Sequence, residues 1–322
     1  MAGRSRYSVG TPVLSAIVIT ALALLYTLLP DYGRTLLARI MVLSIYSYGF
    51  AVSFHLLGVM SLGHAALFAS GMYGAGLYAL RSPVGGPPAA LAAGLASSLI
   101  VSVILCLVTL RTRGPYTMIA TLLLSQALYL LMLHFNEVTG GEQGIVLPRQ
   151  ATVAWQLEGV LGEAGSRYFI ALAGLTAAVL SVLLLQRSRL GRILLALRDD
   201  EDKLESLGYD RRLYRFIGFS VSGLLSGLSG SLYALTYGYM GAGFAGVMYS
   251  VQPILWVLVG GPVIELSPFI GCLAVGILSD LASGLVRGHV LVVGLGLVAI
   301  ALSNRRLAWM SRLLGRLEGV GR

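Results

Sequence analysis

The sequence predicts an all-α, polytopic membrane protein of about ten transmembrane helices, with both termini in the cytosol. Three observations predict it. Hydrophobic residues make up 57% of the chain and charged residues only 11%, where an average soluble domain carries about 25% charged, so this chain cannot present a wettable surface. Its apolar residues gather into runs approaching the roughly 20 residues needed to cross a bilayer core. Positive charges stand at the ends of those runs and differ in density from one end to the next, as expected of an oriented insertion. The 41 glycines agree, since glycine is commoner in membrane helices than in soluble ones.

The runs, in order, are 13–29, 36–57, 65–80, 89–110, 115–134, 168–186, 214–240, 247–261, 268–286 and 289–303. The first follows Arg4 and Arg6 and so imitates a secretion signal. It is longer than the usual apolar region of roughly 7–15 residues, and no A-x-A site follows it; it reads as a span. The third and eighth are short and rich in small residues, which leaves open whether either is broken or re-entrant. With the N-terminus inside, cytosolic segments hold 17 basic residues: Arg4, Arg6, Arg111, Arg113, eight within 187–215, and five from Arg305 to Arg322. The opposite side holds six: Arg34, Arg39, Arg81, Arg149, Arg167 and Arg287. Positive-inside bias therefore puts both termini in the cytosol.

The net charge of +9 does not imply nucleic acid. Of the 23 basic residues, 22 are arginine, and they cap apolar runs instead of forming a stripe. Membrane lipid is the expected contact. Cys106 and Cys272 lie inside apolar runs and read as small core residues. No His/Cys/Asp/Glu group has metal-ligand spacing, and no acid/base pair or Ser/His arrangement falls at one depth, so neither a metal site nor a catalytic residue is expected.

A single transmembrane domain spans 1–322, with three non-membrane segments of note. Residues 135–167 form an extracytoplasmic loop whose "TGGEQG" (139–144) and Pro148 are turn formers. Residues 304–322 form a cytosolic tail. Between them, Arg187 to Arg215 holds 14 of the chain's charged residues in 29 positions, eight basic and six acidic.

That charged segment has internal order. Leu190, Ile193, Leu194 and Leu197 fall on one face of a helix. Acidic residues 199–202 suit a second helix start, with Asp202 and Glu205 spaced as a capping box. Leu204 and Leu207 give this helix a small apolar face, and Gly208 stands where a helix stop belongs. Two readings compete: a solvated connector resting on the core, or a rigid hook that another protein pushes. An apolar face on so short a loop favours the hook.

At this point the chain resembles a known family. "SRLGRILLALRDDEDKLESLGYDRRLYRFIGFSVSGLLSGLSGSLYAL" (188–235), "SLGHAALFASGMYGAGLYAL" (61–80), "TGGEQGI" (139–145) and "GGPVIELSPFIG" (260–271) resemble, in order, blocks of permease subunits of branched-chain amino-acid ABC importers, the M type. Urea and short-amide permeases share these blocks, and the last block here carries fewer glycines and more branched residues than usual. The resemblance implies two permease subunits, identical or homologous, driven by two cytosolic ATPases and supplied by an extracytoplasmic binding protein. It also implies that 190–210 docks on the ATPase, with Leu194, Leu197, Leu204, Glu205, Leu207 and Gly208 as the coupling residues. A separate motor agrees with the residues themselves. A P-loop needs G-x-x-x-x-G-K-[ST], and the only lysine, Lys203, is flanked by Asp202 and Leu204. ATP thus belongs to a partner, and no cofactor is expected in this chain.

For the solute path, Thr117, Thr121, Ser125 and Tyr129 recur every fourth residue in the fifth run, with Gln126 beside them. Their hydroxyls either bond back to their own helix or line the pathway. Ala66, Ser70 and Gly74 form a small-residue face suited to helix packing. His64 reads as a helix-end cap or core histidine. Asp280, with Arg287 seven residues on, is either a pair at a span end or an ion-coupling group. A stand-alone ion-coupled transporter is the competing class, and it would need more such groups.

Overall fold

The computed structural model describes residues 10–81, 86–112, 114–261 and 263–285. The tenth run (289–303), the tail (304–322) and Arg4, Arg6 and Arg287 lie outside the described residues.

Helix α1 (Gly10–Leu25) is followed by α2 (Asp31–Ala51), which widens into a π turn over Val52–Leu56. Then come α3 (His64–Arg81), α4 (Gly86–Thr109) and α5 (Pro115–His134), with Pro115 at the first helical turn, where its missing N–H costs nothing. A short α6 (Asn136–Thr139) precedes β1 (Ile145–Val146) and α7 (Val153–Arg187), which is broken at Gly162 (φ 70°, ψ 170°). Helices α8 (Arg189–Asp199), α9 (Glu201–Ser206) and α10 (Arg211–Tyr237) follow. The chain then runs through β2 (Tyr239–Met240) into α11 (Val247–Gly260) and α12 (Ser267–Leu285).

Five of these helical stretches are long and apolar enough to cross a membrane: Asp31–Leu56, Gly86–Thr109, Pro115–His134, Gly162–Arg187 and Arg211–Tyr237. Val13–Leu25, Val247–Gly260 and Ser267–Ala282 are shorter apolar helices. The third run forms one unbroken helix, α3. The all-helical expectation needs one amendment, an antiparallel pair β1–β2 in which Ile145 faces Met240. It joins the 135–167 loop to the end of α10.

Burial sorts the helices. Spans α2 and α10 are mostly enclosed, while α4, α5 and α7 expose Ile100, Ile104, Leu107, Ile119, Leu123, Leu180 and Leu184, the face expected against lipid. Helix α10 packs on α2, α3, α4 and α7. Its glycines make this possible. A Cβ on Gly223, Gly227 or Gly71 would strike Ser102, Ser98 or the Gly227 backbone, and a Cβ on Gly94 would strike Ser231. Thus Gly94, Ser98 and Ser102 of α4 mesh with Ser231, Gly227 and Gly223 of α10 in three antiparallel rungs. Such close contact replaces the hydrophobic effect, which has no grip between helices in lipid. Hydroxyls add cross-links: Ser222 Oγ donates to the Gly49 carbonyl (2.7 Å), Ser229 Oγ to that of Val42 (2.5 Å) and Ser97 Oγ to that of Ser70 (2.7 Å).

Candidate functional site

These contacts set two ends of one bundle. At one end, α8 and α9 sit against the close of α2 and α4. At the other lie the start of α2, the 135–152 segment and residues 238–246. The charged segment 187–215 therefore has a definite place, and the structure shows how it is held.

Ser188 caps α8 by accepting from the Gly191 amide (3.1 Å). Asp200 caps α9 by accepting from the Lys203 amide (3.1 Å) and pairs with the Lys203 ammonium (2.9 Å). The expected Asp202–Glu205 capping box is replaced by this cap, because the helix starts two residues earlier. Lys203's side chain and amide together hold the Asp200 carboxyl below its ordinary range, and Asp200 raises the Lys203 ammonium in return. Asp202 and Glu205 turn to Arg211 instead, at 3.7 Å and 3.5 Å. Glu201 pairs with Arg215, which also donates to the Thr109 carbonyl at the end of α4 (3.2 Å). Arg198 donates to the His55 carbonyl in the π turn of α2 (2.6 Å).

The apolar stripe of α8 forms as expected and faces inward. Leu194, Leu197 and Leu204 are at most 3% exposed and belong to the core, whereas Leu207 is 74% exposed. The first three have no surface left for a partner; they anchor the hook. What it offers outward is Leu207, with Tyr209 and Leu213 also exposed. Gly208 stops α9 at φ 86°. The Tyr209 amide reaches the Leu204 carbonyl and the Gly208 amide that of Glu205, at 3.3 Å and 2.9 Å. That is a Schellman stop, which favours glycine at this position.

The polar stripe of α5 is buried at Thr117, Thr121 and Ser125 and half-buried at Tyr129. Thr121 Oγ1 donates to its own helix at Thr117 (2.8 Å) and accepts from the Leu62 amide (3.1 Å). Ser125 Oγ donates to the Ala245 carbonyl (3.1 Å). These hydroxyls secure the irregular backbone before α3 and before α11. Ser70 and Gly74 face Ser97 of α4, and Ala66 is buried; Gly71, which the small-residue stripe does not include, packs against the Gly227 backbone of α10.

His64 is fully buried at the start of α3, with Nε2 2.8 Å from Ser222 Oγ and Nδ1 3.1 Å from the Ser61 carbonyl. It ties α3 to α10 as a core histidine. Cys106 and Cys272 are free and buried. Asp280 accepts from the Tyr32 hydroxyl at 2.5 Å, close to the start of α2. Among the described residues no group of three or more His, Cys, Asp or Glu is arranged to hold a metal.

Two charges escaped sequence reasoning. Glu265, buried in the turn between α11 and α12, lies beside Tyr48, whose hydroxyl donates to the Glu265 carbonyl (2.5 Å). Its signal was a lone carboxylate between two apolar runs. Arg39, which the charge pattern places at the end of its run, lies eight residues inside α2.

Residues 34–302 match the family profile described as branched-chain amino acid transport system / permease component. The chain is 28% identical over 249 residues to the high-affinity branched-chain amino acid transport system permease protein LivM of Escherichia coli, covering 70% of this chain and 57% of that protein. It is 29% identical over 220 residues to LivM of Salmonella typhimurium, covering 62% and 52%. The matched region thus spans a little over half the length of these relatives. No solved structure gives a significant match.

Proposed function

The chain belongs to the branched-chain amino acid transport permease family, and from that premise we propose that it is the membrane-spanning subunit of an ATP-driven importer of branched-chain amino acids. The two relatives carry that transport in their names. It is not an enzyme: ATP is bound and hydrolysed by cytosolic partner subunits. A second permease subunit completes the pathway, and an extracytoplasmic binding protein delivers the solute. In this reading the 187–215 end of the bundle faces the cytosol with both termini, ten spans cross the membrane, and the 135–167 segment faces out.

The observation that carries the proposal is the hook α8–α9. Its apolar anchors are buried, a hydrogen bond from Arg198 fastens it to α2 and ion pairs fasten it to Arg211 and Arg215 of α10, and Leu207 and Tyr209 stand exposed at its tip, with Leu213 exposed at the start of α10. A connector needs no such fastening; a lever moved by an ATPase does. Thr121 and Ser125 then serve the fold by holding irregular backbone, and Ala66, Ser70 and Gly74 by close packing.

The test is uptake by the complex purified with its ATPase and partner permease and supplied with binding protein in proteoliposomes. Leucine, isoleucine and valine are expected to accumulate only with ATP. Uptake of urea or short amides in their place moves the assignment to the amide permeases. Accumulation by the lone chain under a proton gradient defeats the proposal.

A further inference from the structure

Helix α2 with its π turn is 26 residues long, about 39 Å at 1.5 Å per residue. Arg39 therefore lies about 12 Å from its start, beyond the depth of a typical headgroup layer. Charges at such depth are expensive and tend to mark solute or ion routes.

Arg39 differs from three of the other arginines near this end. Arg34 is held by Asp31 at 2.9 Å, and Arg149 and Arg167 are both held by Glu163. Among the described residues no carboxylate forms an ion pair with Arg39, and the side chain is exposed. A thiol lies close by: Cys272 Sγ is 3.5 Å from the carbonyl of the next residue, Ile40. Tyr32, Arg39 and Tyr46 recur every seventh residue, one face of α2. That face meets α12 through Tyr32–Asp280 and α11 through Tyr46, whose hydroxyl donates to the Tyr249 carbonyl (2.8 Å). Tyr249 in turn belongs to an aromatic wall in which Phe244 lies 4.6 Å from Tyr249 and 5.0 Å from Tyr233, ring centre to ring centre.

A guanidinium fork binds carboxylates in two-point fashion. An aromatic wall accepts aliphatic surface. We propose that Arg39, on the face of α2 that meets Tyr249 and its aromatic wall, receives the carboxylate of the incoming solute on the extracytoplasmic side of the bundle. The proposal rests on the importer reading above and adds a recognition point within the permease itself.

The experiment uses the whole complex in nanodiscs and proteoliposomes, with Arg39→Gln and Arg39→Lys. The probes are leucine and leucinamide, which keeps the side chain and amine but lacks the carboxylate. Without binding protein, millimolar leucine is expected to bind the wild-type complex and leucinamide not to; Arg39→Gln should abolish the difference. With loaded binding protein, Arg39→Gln should lower leucine uptake about tenfold while ATP hydrolysis and subunit stoichiometry persist. Arg39→Lys, which keeps the charge but not the fork, should fall between. Binding and uptake within twofold of wild type in Arg39→Gln overturn the site. So does a defect seen only in anionic lipid, which makes a lipid phosphate the occupant, or one accompanied by loss of the second permease subunit, which makes that subunit the occupant. A wild-type complex that moves no amino acid overturns the importer reading first, and the site with it.

Discussion

Arg198 of α8 and His55 at the end of α2 are joined by a hydrogen bond from Arg198 Nη1 to the His55 carbonyl, at 2.6 Å. The π turn that closes α2 leaves carbonyls without helical partners, and Arg198 satisfies one of them. Gly58, at φ 69°, makes room for the arginine stem, since a Cβ there would lie 2.7 Å from Arg198 Cγ. The exposed hook is thereby tied to one of the most enclosed helices of the bundle.

This tie predicts a coupling defect. Arg198→Ala should leave the complex assembled and the ATPase bound, because the leucine anchors remain. Hydrolysis should continue while uptake per ATP falls severalfold. Measured ratios of leucine accumulated to phosphate released check it; an unchanged ratio means that movement of the hook reaches α2 by another contact.

The two leucines of α9 should separate cleanly. Leu204 is 3% exposed and Leu207 is 74% exposed. Leu204→Asp buries a carboxylate in apolar surroundings and should cost several kcal/mol of stability, read as a lowered melting temperature. Leu207→Asp should leave melting unchanged, within about 0.5 kcal/mol, yet weaken ATPase capture. Equal ATPase capture in wild type and Leu207→Asp removes Leu207 from the docking surface.

The hook illustrates how far sequence reading reaches. Its helices, the inward stripe of Leu194 and Leu197 and the stop at Gly208 all follow from local rules of periodicity and capping. Which leucine of α9 faces inward does not, because a six-residue helix has no periodicity to count; packing against the bundle decides it. The α9 cap moved from Asp202 to Asp200 for a related reason: in four consecutive acidic residues, any one can cap. In the membrane region, helix existence was legible from hydropathy. The partners of Gly71 and Ser98 were not, since they lie on helices distant in sequence and depend on helix rotation.

Helix packing through Ser98 and Gly227 is testable by exchange. A side chain at 227 would overlap Ser98, and overpacking typically costs about 1–3 kcal/mol. Gly227→Ser alone should lower the yield of folded permease and its melting temperature. Adding Ser98→Gly empties the space opposite and should restore most of both, a non-additivity expected of residues in contact. Strict additivity of the two changes means that these helices do not meet at this rung.

Orientation can be read with single cysteines, and the structure supplies suitable positions. Ser206 and Gln143 are exposed at opposite ends of the bundle. The Gln143 side chain is dispensable, because its backbone carbonyl is what accepts from the Tyr239 hydroxyl (3.2 Å). Ser206 donates only to the Lys203 carbonyl of its own helix (2.7 Å), so cysteine there should leave the hook intact. The native Cys106 and Cys272 are buried, which keeps background labelling low. A membrane-impermeant thiol reagent added to intact cells should modify Gln143→Cys within minutes and spare Ser206→Cys until the membrane is opened. The reverse pattern turns the bundle over, placing the hook outside the cell where no ATP-driven subunit can reach it, and the proposed coupling falls with it.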